Sequence, residues 1–139
     1  MAYICMTKQI YLNLPVRNLK KTISFFTKLG FTFNPKFTNE KATCMIISKE
    51  VYVMLLVEKF FKSFIKKKVC NAKKSTEVII GLTAESRKKV DEILNKVVKA
   101  GGREMGQAKD HGFMYTRSFE DLDGHIWEIF YFDESKFEK

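Results

Sequence analysis

Phe119-Glu-Asp-Leu-Asp-Gly-His-Ile-Trp-Glu-Ile-Phe130 is the stretch on which the reading of this chain turns. Asp123-Gly124 supplies the positive φ of a tight hairpin turn. The residues after it alternate as a strand does. Gly124, Ile126, Glu128 and Phe130 share one face, and His125, Trp127, Ile129 and Tyr131 share the other. A carboxylate on a mostly apolar strand face is costly unless it meets a partner, water or a ligand. Glu128 is therefore the first candidate functional residue.

Upstream, the chain reads as two similar series. Residues 9–16 alternate, with Ile10, Leu12 and Leu14 on one face and Gln9, Tyr11 and Asn13 on the other. Asn18 is placed to cap a helix over 19–29, with Leu19, Ile23, Phe26 and Leu29 as its apolar stripe and Gly30 at its end. Strands are expected at about 31–37, 42–48 and 51–58. Phe60, Phe61, Phe64 and Ile65 recur at helical spacing, which predicts a connector helix over 59–68. A strand at 77–83 then precedes a helix at 85–100, whose inner face would hold Val90, Ile93, Leu94, Val97 and Val98. Strands follow near 103–105, 113–119 and 125–132. Two βαβββ units, neither able to bury its own sheet face, should pair. The expectation is an α+β fold in one domain over 1–139, with units at about 7–58 and 76–133 around a connector at about 59–75.

Composition narrows the function classes. With 139 residues, 45% of them hydrophobic and 13 of them Phe, the chain is globular and not disordered. No apolar run approaches the roughly 18 residues of a membrane span. Met1-Ala-Tyr-Ile-Cys5 lacks the basic and apolar regions of a secretory signal, and Met6 is an alternative start. Cys5, Cys44 and Cys70 are odd in number and form no Cys-x-x-Cys pair, which fits reduced thiols in a cytoplasmic protein. Net charge is +9, with Lys66-Lys67-Lys68 and Lys73-Lys74 as the densest cluster. The other lysines are spread along the chain, as on a solvated surface. A nucleic-acid or interaction module using 59–74 is the basic-charge alternative, with an affinity that would fall steeply with salt.

Three segments carry a family resemblance: Tyr11-Leu-Asn-Leu-Pro-Val-Arg-Asn-Leu-Lys-Lys-Thr-Ile-Ser-Phe-Phe-Thr-Lys-Leu-Gly-Phe31, Val78–Gly102, and Phe119–Glu128. Together they resemble the vicinal oxygen chelate superfamily of glyoxalases, bleomycin-resistance proteins and extradiol dioxygenases. The resemblance implies two βαβββ units forming a curved mixed sheet around a cavity. It also implies a homodimer. Metal-dependent members place ligands on the first and last strands of each unit. Those positions fall here on Tyr11, on or beside Met54, on Val78 or Ile79, and on Glu128. Only the last is a usual ligand of a hard metal, whereas a catalytic divalent ion needs about three protein ligands. The resemblance thus implies a member without the metal, and no cofactor is expected.

The other side chains give no second chemistry. His125 follows the turn on the face opposite Glu128 and reads as packing beside Trp127, and His111 lies in a Lys-Asp-His-Gly loop. There is no Gly-x-Ser-x-Gly elbow, phosphate loop or dinucleotide fingerprint. Cys44, on a strand, reads as a small buried hydrophobe. Tyr52, Met54 and Leu56 share a strand face, as do Phe113, Tyr115, Arg117 and Phe119. If the second face turns inward, Arg117 meets Glu128 or an anionic ligand group; otherwise it pairs with surface carboxylates. The expected function is metal-independent binding of a small anionic or neutral molecule, since a basic chain repels cations. The candidate ligand residues are Tyr11, Asn13, Met54, Tyr115, Arg117 and Glu128. The enzymatic alternative is a lyase or dioxygenase of glyoxalase type whose metal is held by Glu128, Tyr11 or Gln9, and His111.

Overall fold

The computed structural model describes residues 6–136, and it sets the alternating segments into two units that divide between Val69 and Cys70. The first contains β1 (Ile10–Val16), α1 (Leu19–Leu29), β2 (Thr32–Phe33), β3 (Ala42–Ile46), β4 (Val51–Val57) and α2 (Glu58–Lys62). Its sheet runs β1-β4-β3-β2, with β1 parallel to β4 and the other pairs antiparallel. The second contains β5 (Ile79–Thr83), α3 (Arg87–Lys99), β6 (Arg103–Asp110), β7 (Met114–Glu120) and β8 (Ile126–Phe132). Its order, β5-β8-β7-β6, repeats the first unit strand for strand. The fold is α+β, with two four-stranded mixed sheets.

Local chemistry sets the helix ends. The Asn18 side chain accepts the Lys21 N–H at 3.0 Å, and Ser86 does the same for Lys89 at 3.1 Å. Gly30 closes α1 at φ 104°, a left-handed conformation that costs a residue with a Cβ about 1–2 kcal/mol. The α1 stripe is turned slightly from the expected one: Leu19, Thr22, Phe25, Phe26 and Leu29 are buried, and Ile23 is only partly so. On α3, Val90, Leu94 and Val97 are buried while Val98 is 55% exposed. Val98 lies about 100° round the helix from Val97, on the side turned to solvent.

Other boundaries differ for physical reasons. The strand expected at 31–37 ends at Phe33, because Asn34 accepts the Lys36 N–H and Pro35 opens a 3-10 turn over Pro35–Phe37. The connector helix expected over 59–68 stops at Lys62. Ser63 Oγ donates to the Phe60 carbonyl, and the lysines that follow have no carboxylate one turn away. The strand expected at 103–105 continues to Asp110 through an irregularity between Met105 and Lys109. The Asp-Gly turn is wider than a tight hairpin: strand pairing closes at Glu120–Ile126, and the loop spans Asp121–His125 with Gly124 at φ 91°.

The buried core of unit 1 is built on Val16, Phe25, Phe26, Met45, Val53 and Leu55, and that of unit 2 on Val90, Leu94, Val97, Phe119, Trp127 and Ile129. Each such side chain contributes about 1.5–3 kcal/mol when removed from water. Cys44 is buried, which pushes its thiol up from the usual range, and Cys70 is exposed. Cys5 lies outside the described residues. Among the described residues, no helix is long and apolar enough to cross a membrane.

Candidate functional site

The register of unit 2 fixes which side chains share a face. Ser118, Glu128 and Gly81 stand side by side across β7, β8 and β5; Thr116, Phe130 and Thr83 form the next rung. On the opposite face stand Tyr115, Arg117, Phe119, Trp127 and Ile129, and this face carries α3. The contacts prove it: the Tyr115 hydroxyl donates to Asp91 Oδ1 of α3 at 2.7 Å, and Arg117 Nη1 donates to the same oxygen at 2.8 Å.

Arg117 therefore does not meet Glu128. Its Nε and Nη2 donate to both carboxylate oxygens of Glu104 on β6, at 2.7 and 2.6 Å. The side chain is 15% exposed, and two carboxylates hold its charge well above the ordinary arginine value. Tyr115 and Arg117 thus tie α3 to the sheet, on the side away from Glu128. The Tyr115 hydroxyl and, after it, the Arg117 guanidinium hold Asp91 below the usual carboxylate range. At the hairpin tip Arg87 makes a two-point contact with Asp110, and with the Gly112 N–H it lowers that carboxyl to about 2.

The turn before β8 is organised by a residue the alternation did not single out. Asp121 Oδ1 accepts the backbone N–H groups of Asp123 and His125 at 2.9 and 3.0 Å, and Oδ2 accepts Trp127 Nε1 at 2.9 Å. Burial pushes the Asp121 carboxyl up, against the pull of the nearby His125 and of these donors. His125 sits in this loop rather than on the strand, and His111 is exposed in the β6–β7 loop. The sequence did hold a signal for Asp121, an Asp two residues before a turn N–H.

Glu128 itself is partly buried, and among the described residues its carboxylate makes no hydrogen bond or ion pair. Around it, Ile79 and Thr83 on β5 are exposed while Thr116 on β7 is buried, so this face opens toward β5 and closes toward β7. The Phe130 ring leans over Gly81, where an added Cβ would meet it at 3.3 Å.

In unit 1, Tyr11, Asn13, Tyr52 and Met54 share the face opposite Leu12, Leu14, Val53 and Leu55. The Tyr11 and Tyr52 rings stack with centroids 4.8 Å apart, and Asn13 Nδ2 donates to the Tyr11 carbonyl at 3.3 Å. An open recess of about 630 Å3 lies beside Tyr11, lined also by Gln9, Lys49 and Glu50. A second cleft of about 400 Å3, at α2, is lined by Lys41, Val57, Lys59, Phe60 and Ser63.

The two units correspond position for position in register. Tyr11, level with Tyr52, precedes the cap Asn18 by the same spacing as Ile79, level with Ile126, precedes Ser86. Met54 consequently corresponds to Glu128, and Ile79, not Val78, corresponds to Tyr11. With this geometry in hand, the model of the "Glyoxalase/Bleomycin resistance protein/Dioxygenase superfamily" matches residues 8–129. The chain belongs to that superfamily. Among solved structures of this fold, a hypothetical protein from S. aureus is 29% identical, with a TM-score of 0.77 over 91% of this chain and 95% of that one. A glyoxalase-related enzyme from Fulvimarina pelagi is 18% identical, with a TM-score of 0.76 over 89% and 88%. The genomically encoded fosfomycin resistance protein FosX from Listeria monocytogenes is 15% identical, with a TM-score of 0.68 over 94% and 98%. No curated protein matches the sequence.

Among the described residues no group of three or more His, Cys, Asp or Glu side chains is arranged to hold an ion.

Proposed function

We propose that this superfamily member binds a small neutral or anionic molecule without a metal ion, on the Glu128 face of the second sheet, and works as a homodimer. One observation carries the reading: Glu128 is a partly buried carboxylate with no partner among the described residues. Such a group is retained at a cost unless a ligand or water completes it. The neighbours level with Glu128 in its own sheet, Gly81 and Ser118, bring no second carboxylate or imidazole with which it would share a hard metal. Tyr11, Asn13 and Met54 form a separate aromatic and polar surface on the first sheet, of the mixed character found in small-molecule sites. Tyr115 and Arg117 are left out, because α3 and β6 already use them.

Elemental analysis of protein purified without chelator or metal-binding tag tests the reading, together with thermal shift in Ni, Zn, Mn and Fe(II). The expected result is no stoichiometric metal and no metal-dependent rise in melting temperature. A rise that disappears in Glu128→Ala would instead establish a metal-dependent lyase or dioxygenase.

A further inference from the structure

Unit 1 carries a cleft that the Glu128 face leaves unused. It lies at α2, measures about 400 Å3 and is lined by Lys41, Val57, Lys59, Phe60 and Ser63. That volume falls in the lower part of the range for small-molecule sites, about 300–1,000 Å3. Two separate segments meet there, and backbone hydrogen bonds hold them in place. The Val57 N–H donates to the Lys41 carbonyl at 2.9 Å, one step beyond the Ala42–Leu56 pair of β3 and β4. Asn39 Oδ1 accepts the Lys41 and Ala42 N–H groups at 2.8 and 3.1 Å, which fixes the turn that delivers Lys41. The Lys41 ammonium stands 5.9 Å from the centroid of the Phe60 ring, and Phe64 meets that ring edge to face at 5.0 Å. An aromatic face steers a cation without neutralising it. Among the described residues neither lysine pairs with a carboxylate, and Glu58, next to Lys59, is held by Arg17 at 3.8 Å. Val57 and Phe60 are half-buried, so the apolar part of the wall is within reach of a ligand.

We propose that this cleft is a second binding site, and that it takes the phosphate monoester of a small aromatic or apolar body. Two like charges around one cleft repel each other, and an anion between them relieves the repulsion. Lysine brings a compact point charge with three rotatable donors, which suits a rounded, charge-dense head. Arginine, whose planar fork matches a carboxylate, is absent from the lining. A monoester, with its second pKa at about 6, is a dianion in neutral or mildly basic solution, the counterpart of two ammonium groups. Val57 and the Phe60 ring then cover the body of the molecule. The site differs from the Glu128 face in residues and in sign: one carboxylate there, two ammonium groups here.

The test titrates the full chain with phenyl phosphate at about pH 8, followed by NMR, with inorganic phosphate and benzyl alcohol as the two halves of the probe. Phenyl phosphate is expected to bind more tightly than either half, with shifts at Lys41 and over residues 57–63. Lys41→Gln and Lys59→Gln should each weaken it about fivefold, the scale of one exposed charge pair, with the melting temperature unchanged. Phe60→Leu should weaken phenyl phosphate and leave inorganic phosphate as it was. Lys20→Gln, on α1, and Glu128→Ala should leave the affinity unchanged. Inorganic phosphate binding as tightly as phenyl phosphate would reduce the cleft to a bare anion contact and overturn the proposal. Equal losses in Lys20→Gln and Lys59→Gln, or shifts that avoid residues 57–63, would overturn it too. Shifts on β8 that vanish in Glu128→Ala would move the ligand to the Glu128 face, upholding the function proposed above and overturning this second site.

Discussion

In unit 1 the buried sheet face is built from Leu14, Val16, Val53, Leu55 and Met45, with Phe25 and Phe26 buried on α1. In unit 2 the corresponding layer holds Phe119, Trp127 and Ile129 together with Arg117, Glu104 and the Asp91 of α3. The outward faces differ in the same spirit, with Met54 in one unit and Glu128 in the other. One strand order and one register thus tolerate an apolar filling and a charged one. The repeat specifies where residues point, and leaves their chemistry free.

The sharpest way to break the symmetry is at two glycines with nearly equal dihedrals. Gly30 has φ 104° and nothing within 4 Å of an added Cβ, whereas Gly124 has φ 91° and meets the Lys73 N at 2.8 Å and the Ala72 carbonyl carbon at 2.9 Å. Gly124→Ala adds a collision with backbone to the left-handed strain and should cost about 3 kcal/mol or more, against about 1–2 for Gly30→Ala. Urea midpoints followed by circular dichroism compare them; equal losses would mean that the Gly124 contact yields without cost.

The charged layer comes next. Arg117→Ala leaves Glu104 and Asp91 facing each other under α3 and should cost about 2–3 kcal/mol by the same measurement. Replacing Arg117, Glu104 and Asp91 together by Met, Met and Leu should recover most of it, making unit 2 resemble unit 1. The acid limb of the stability profile carries the same signature. Asp91 and Asp110 have folded values below their unfolded ones, so their stabilisation is present above about pH 4 and is lost as pH falls below it, for Asp110 toward about 2. Tyr115→Phe should flatten the part of that limb due to Asp91, and Arg117→Ala should do so to a smaller degree. The mildest change is Glu128→Met, which copies unit 1's residue into unit 2. It should alter stability by less than about 1 kcal/mol by the same measurement.

Much of this plan was legible beforehand. Alternation together with turn residues located the eight strands among the described residues, Asn18 and Gly30 marked both ends of α1, and the Asp-Gly pair announced a positive φ at Gly124. What alternation could not say is which face a helix covers. It grouped Tyr115 with Arg117 and left the direction open, because the partners that decide it, Asp91 and Glu104, lie 26 and 13 residues away from Arg117. The connector helix was overread because phenylalanine spacing alone does not hold a lysine-rich turn together.

Trp127 is the chain's single tryptophan, stacked on Phe119 at a centroid distance of 6.3 Å and hydrogen-bonded to Asp121. Its emission is a spectroscopic label installed in one repeat only. Far-ultraviolet circular dichroism senses both repeats, so a denaturation curve recorded by both signals separates two modes of melting. Coincident curves would show a single cooperative transition. Displaced curves would give each repeat its own free energy, without cutting the chain or adding a dye.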